Sequence, residues 1–130
     1  MKRILLIDDD EPIRLSLGEL LRIAGYAVVA AADGREGLDL FRQQSFDLVI
    51  TDVLMPRMDG AATIAALRGL RPGVKVIAMY GGGRVSETNP VANANNLGAD
   101  RLLAKPFTAQ ELNAAIAAVL LAAEDKAGHS

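Results

Sequence analysis

The chain has no cysteine among its 130 residues. That absence excludes a disulfide scaffold, a thiol nucleophile and a thiolate zinc site together. Histidine is nearly as scarce: the single one, His129, stands among small and polar residues at the end. A lone histidine in that setting reads as a solvated residue with no catalytic role. Long apolar runs are missing as well. The run Ile4–Ile7 is cut off by Asp8, Asp9 and Asp10, too short for a signal peptide, and nothing approaches the roughly 20 apolar residues of a membrane span. Nor is there an excess of positive charge. The net charge is −2 at pH 7, which gives no general attraction to nucleic-acid phosphates or anionic lipid. The expectation is a cytoplasmic protein with no direct nucleic-acid or membrane partner.

What is present suits one globular domain. The hydrophobic fraction is 51% and the charged fraction 23%, enough to bury a core and stay in solution. Short apolar runs, Ile4–Ile7, Ala27–Ala30, Leu48–Ile50, Val74–Met79 and Leu102–Ala104, alternate with longer amphipathic segments. Continuous runs of that kind predict strands covered on both faces of a parallel sheet. Between them the period is helical. Ile13, Leu17, Leu20, Leu21 and Ala24 form one stripe behind Pro12. Leu38 and Phe41 anchor a second helix, and Ile64, Leu67 and Leu70 a third that Asp59-Gly60 opens. In the last helix, Thr108 and Glu111 make a capping box ahead of the apolar face Leu112, Ile116, Val119, Leu120 and Ala123. Gly25 and Gly98 stand where left-handed helix ends are expected. The connection between the fourth and fifth strands differs: Gly81–Gly83, then Asn89, Pro90, Asn93, Asn95 and Asn96, predict a short or mobile helix. The glycines lack the spacing and Lys-Ser/Thr ending of a nucleotide phosphate loop.

Repeated strand–helix units imply right-handed crossovers and an open α/β sandwich. Reactive groups in such folds gather at the carboxyl ends of the strands. Asp8 and Asp9 follow the first strand, Asp52 the third and Lys105 the fifth, so three carboxylates and one amine share one sheet edge. A divalent cation relieves their mutual repulsion, and an all-oxygen site with few protein ligands suits Mg²⁺, with Mn²⁺ as the alternative. Lys105 supplies a mobile point charge suited to a phosphoryl oxygen. Taken singly, each has a bland reading: Asp9 or Asp10 as a helix cap, Asp52 as a turn residue, Lys105 as a surface lysine. Their joint placement makes coincidence the poorer explanation.

Four pieces, in order, carry a resemblance: Ile7-Asp8-Asp9-Asp10, Asp52 with Met55-Pro56-Arg57-Met58-Asp59-Gly60, Gly98-Ala99-Asp100, and Lys105-Pro106-Phe107. Over Lys2 to about Ala123 the chain resembles the response-regulator receiver family of two-component signalling. The resemblance implies a flavodoxin-like, doubly wound α/β fold: five parallel strands in the order 2-1-3-4-5 with helices on both faces. It also implies a receiver domain over residues 2–123 and a polar tail over 124–130. Asp52 matches the phosphoacceptor that attacks a phosphohistidine. Asp9 resembles the direct metal ligand and Asp8 a partner acting through metal-bound water. The backbone carbonyl of Leu54 matches a further ligand, and Lys105 the residue that pairs with the phosphoryl group. A cis Lys105–Pro106 peptide is implied too. Such a protein is a regulatory phosphoacceptor that assists its own phosphorylation and dephosphorylation, not an enzyme in the usual sense.

Two positions leave the family pattern. Tyr80 stands where similar receivers place a small Ser or Thr at the end of the fourth strand. Leu102 stands where many carry an aromatic residue. One hypothesis links them: Tyr80 fills the space of the absent aromatic, changing the switch while sparing phosphorylation. The bland alternative is a ring that simply packs on the sheet. Leu54 and Gly82 match positions that tune hydrolysis of the acyl phosphate, and an apolar Leu54 cannot orient water.

The expectation is a stand-alone receiver, monomeric or weakly dimeric, taking phosphate from a histidine kinase or histidine phosphotransfer protein. It would act on a downstream protein target through the fifth strand and the helices on either side of it. A second reading is a receiver-like interaction module with phosphate-independent switching, motivated by Tyr80 and Leu102. A third, a dehalogenase-type phosphohydrolase, wants a second Asp where Leu54 stands.

Overall fold

The apolar runs pair as strands because each can bury its side chains only against layers above and below the sheet. In the computed structural model, which describes residues 1–53, 60–81 and 98–128, they form β1 (Arg3–Ile7), β2 (Ala27–Ala31), β3 (Leu48–Asp52), β4 (Val76–Gly81) and β5 (Arg101–Lys105). The helices among the described residues are α1 (Glu11–Ile23), α2 (Gly34–Gln43), α3 (Gly60–Leu70) and α4 (Ala109–Gly128). All strand pairs are parallel and the order is β2-β1-β3-β4-β5. This is the expected order. No helix among the described residues is long and apolar enough to cross a membrane.

Strand alternation divides the core in two. Leu5, Ile7, Val49, Val76 and Ala78 pack against Leu38 and Phe41 of α2 and Ile64 and Leu67 of α3. Ile4, Leu6, Leu48, Ile50, Ile77, Met79 and Leu103 pack against Leu17 and Leu21 of α1 and Leu112, Ile116 and Val119 of α4. Helices therefore cover both faces. Coverage is complete only over the central strands. On the edge strands β2 and β5 most residues are partly or fully exposed, because an edge strand has a neighbour on one side only.

The helix ends follow local chemistry. The Asp10 side chain accepts from the Ile13 amide at 3.2 Å and caps α1, with Pro12 in the first turn. Asp33 does the same for α2, accepting from the Glu36 amide at 2.8 Å. At α4 the capping box is formed in both directions: the Glu111 amide donates to Thr108 Oγ1 at 3.0 Å, and the Thr108 amide to Glu111 Oε1 at 3.2 Å. Gly25 and Gly98 have φ of 101° and 77°, the left-handed region that glycine adopts without a Cβ penalty.

Three residues placed on buried stripes are exposed. Leu20 is 39% and Leu70 46% exposed, and Ala24 is exposed as the cap residue that ends α1. The buried face of α1 runs through Leu17, Gly18 and Leu21. Gly18 takes the phase beside Leu17 and Leu21, turning Leu20 outward. Helix α4 continues through residues 124–128, the segment read as a tail, where Ala, Glu and Lys are strong helix formers. Leu54, Asp59, Gly82, the Asn-rich connection and His129 lie outside the described residues.

Candidate functional site

The parallel arrangement brings every strand's carboxyl end to one edge, and alternation decides which side chains meet there. Asp52 continues the face of Leu48 and Ile50, and Lys105 that of Leu103. Asp8, just beyond β1, continues the face of Ile4 and Leu6. Asp8 is fully buried and Asp52 9% exposed, whereas Asp9 is exposed. Lys105 Nζ bridges the two buried carboxylates, donating to Asp52 Oδ2 at 2.9 Å and to Asp8 Oδ2 at 3.0 Å. Asp8 Oδ1 accepts from the Asp10 amide at 2.9 Å. The Lys105–Pro106 peptide is cis.

Burial raises the pKa of Asp8 above the ordinary carboxylate value. The Asp10 amide and the Lys105 ammonium hold it down only in part, and the Asp52 charge adds to the rise. For Lys105, burial works against the ammonium, but hydrogen bonds and charge from Asp52 and Asp8 outweigh it and raise its pKa. The lysine is therefore a fixed cation at neutral pH.

One carboxylate oxygen from each of Asp8, Asp9 and Asp52 lies within 4.8 Å of the other two. Three hard oxygen donors so disposed fit a Mg²⁺-type cation, which takes few protein ligands and retains water. They suit a thiophilic metal poorly. The Leu54 carbonyl lies outside the described residues.

Tyr80 and Leu102 occupy the opposite face. Tyr80 pairs with Ala104 and Leu102 with Ala78 across β4 and β5, so the two stand diagonally adjacent, and both pack half-buried against the α2–α3 core. Alternation thus separates them from the side-chain row of Asp52 and Lys105.

Arg14 was not singled out from the sequence. Its Nη1 donates to the Asp8 carbonyl at 2.8 Å, tying α1 to the loop that carries the carboxylates. A signal existed: Arg14 lies four and seven residues before the buried Gly18 and Leu21, in phase with the inward face. Asp100, within one of the quoted motifs, receives the Val76 amide at 2.8 Å and Arg68 Nη2 at 3.1 Å. It therefore ties β4 and α3 to the start of β5.

The chain matches known proteins in sequence and in fold. The family model for the response regulator receiver domain matches residues 4–117. Response regulator MprA of Mycolicibacterium vanbaalenii is 40% identical over 130 residues, covering 98% of this chain and 55% of the relative. The chain spans about half the length of the curated relatives it matches. Among solved structures, a CheY-like receiver domain protein from Methanospirillum hungatei superposes with a TM-score of 0.87 at 35% identity, over 97% of this chain and 98% of the other. The response regulator TrrA from Thermotoga maritima, solved with Mg²⁺ and BeF, gives 0.80 at 30% identity, over 92% and 99%. With five parallel strands in this order and its carboxylates and lysine at their carboxyl ends, the chain belongs to the response regulator receiver domain family.

Proposed function

We propose that Asp52 accepts a phosphoryl group from a phosphohistidine on a histidine kinase or phosphotransfer protein. The observation that carries this reading is the Lys105 ammonium seated on Asp52 beside two further carboxylates. A carboxylate oxygen of Asp52 attacks phosphorus and the P–N bond of the donor breaks. Its electron pair stays on the imidazole nitrogen, leaving an acyl phosphate on Asp52. Phosphoryl transfer needs alignment and charge neutralisation more than a general base. Lys105 supplies a fixed positive charge beside the acceptor. Asp8, Asp9 and Asp52, with the Leu54 carbonyl, would hold Mg²⁺ or Mn²⁺. When bound, the cation would offset the charge of the phosphoryl oxygens. The relative TrrA carries Mg²⁺ and BeF in its structure, the kinds of group this reading calls for. Water attack on phosphorus later releases phosphate and restores the carboxylate.

Output in this reading passes to a downstream protein target, through β5 and the surfaces flanking it, from a monomer or weak dimer in the cytoplasm. A second reading concerns the switch alone. Tyr80 and Leu102 share one half-buried cluster, so the ring takes up space that a small hydroxyl residue would leave open. Phosphorylation would then survive while its report to the surface is altered.

Incubation of the native protein and of Asp52→Asn with Mg²⁺ and a small acyl-phosphate donor tests the proposal. The native protein gains one phosphoryl group by intact mass and the variant gains none. A native protein that takes no phosphate under these conditions would favour the phosphate-independent interaction module.

A further inference from the structure

A second polar site lies at the opposite edge of the sheet. Because all five strands are parallel, the starts of β1, β3 and β4 also come together, and with them Arg3, Asp47 and Lys75. With Ser45 and Arg71 they line an open pocket of about 510 Å³. Three cationic side chains line it against one carboxylate, in a chain whose net charge is −2. That carboxylate is engaged locally, since Asp47 Oδ2 accepts the Arg3 amide at 2.8 Å.

The two guanidinium groups are held in place. Phe41 and Phe46 stack with ring centroids 6.3 Å apart and planes 12° off parallel. Arg3 lies over the Phe46 ring and Arg71 over the Phe41 ring, each 5.2 Å from the centroid. Arg3 Nη2 donates to Gln44 Oε1 and Arg71 Nη2 to the Phe46 carbonyl. Ring faces and one hydrogen bond each orient the forks and leave most of their donors to other acceptors. Among the described residues none of Arg3, Arg71 and Lys75 forms an ion pair, whereas Arg42 and Arg68 pair with Asp39 and Asp100.

We infer that this pocket binds a small, multiply charged phosphate-bearing anion, independently of phosphorylation at Asp52. Pre-oriented guanidinium forks match phosphate oxygens, and Lys75 adds a point charge. A multiply charged phosphate matches three cations better than a single carboxylate would, and Asp47 limits the attraction. The pocket volume falls in the range of small-molecule sites, roughly 300–1,000 Å³.

The test is a titration of the full metal-free chain with inorganic pyrophosphate at constant ionic strength, followed by two-dimensional amide NMR. The Asp52→Asn variant is titrated in parallel. Saturable shifts are expected at Ser45, Asp47, Gly73 and Lys75, unchanged in Asp52→Asn. Lys75→Gln, which leaves the ring stack intact, should weaken binding with no loss of melting temperature. Combined Arg3→Gln and Arg71→Gln should weaken it by about tenfold or more, the scale of a lost charge-assisted hydrogen bond. Shifts confined to the Asp8–Lys105 end, an equal response to chloride, or unaltered affinity in folded variants would overturn the inference.

Discussion

Lys105 and Asp8 stand 97 positions apart in sequence and meet at 3.0 Å, Nζ to Oδ2. Even with that partner, burial keeps the Asp8 pKa above its ordinary value. Such a group favours folding fully below the unfolded pKa and loses that contribution as pH rises through the folded one. Without metal, ionised Asp8 therefore favours folding less at neutral pH than its protonated form does. In a chelator at pH 7, Asp8→Asn should melt above the native protein, and the gap should shrink as pH falls below the ordinary carboxylate value. Lys105 has the opposite effect at neutral pH: its contribution is complete there and is lost only as pH rises through its raised pKa. Thermal melts over a pH series check both, and a variant that melts lower at pH 7 would count against the account of Asp8.

The phosphorylated state should be comparatively long-lived. Leu54, two residues past the proposed acceptor Asp52, has a side chain with no group to orient an attacking water. Purified phosphoprotein, freed of donor and phosphatase, should retain its label longer than Leu54→Asn or Leu54→Glu. Equal decay of all three would show that this position does not govern hydrolysis.

Tyr80→Ser removes the half-buried ring beside Leu102. The structural response to a beryllofluoride phosphoryl mimic, read by amide NMR, should then spread differently over β4 and β5. A cost of about 1–3 kcal/mol in stability is expected from the lost apolar burial. An unchanged response to the mimic would sink the idea that Tyr80 alters the switch.

Gly37 offers a check on the packing between α2 and β1. A Cβ there would fall 2.4 Å from Ile7 Cδ1 and 2.8 Å from Ile7 Cγ1, and Ile7 is fully buried. Gly37→Ala should lower stability by about 1–3 kcal/mol despite its better helix propensity. The shift in urea midpoint measures it, and a stabilised variant would show that Ile7 can repack without strain.

The strands and the capping signals were legible because they are local: an apolar run, a Thr108–Glu111 spacing, a glycine at a helix end. The edge character of β2 and β5 was legible only through the strand order that the family resemblance implied. A run such as Ala27–Ala30 is apolar whichever strands flank it, and strand order is a long-range property. Leu20 misled because a helical stripe drawn from apolar residues alone omits Gly18, whose buried position sets the phase of α1, and Leu70 misled because it is the last residue of α3. The site residues Asp8, Asp9, Asp52 and Lys105 were readable as a group at strand ends. That Lys105 would touch both Asp8 and Asp52 was not, since side-chain reach across β1, β3 and β5 has no sequence period.

The central claim is that Asp52 itself carries the phosphoryl group, and it can be tested at that residue. Borohydride reduces an acyl phosphate to the primary alcohol with release of phosphate, so a phosphorylated aspartate becomes homoserine. After treatment with Mg²⁺ and a phosphodonor, peptide mapping of the reduced protein should find homoserine at position 52 alone. No conversion at position 52, or conversion at another carboxylate, would contradict the account.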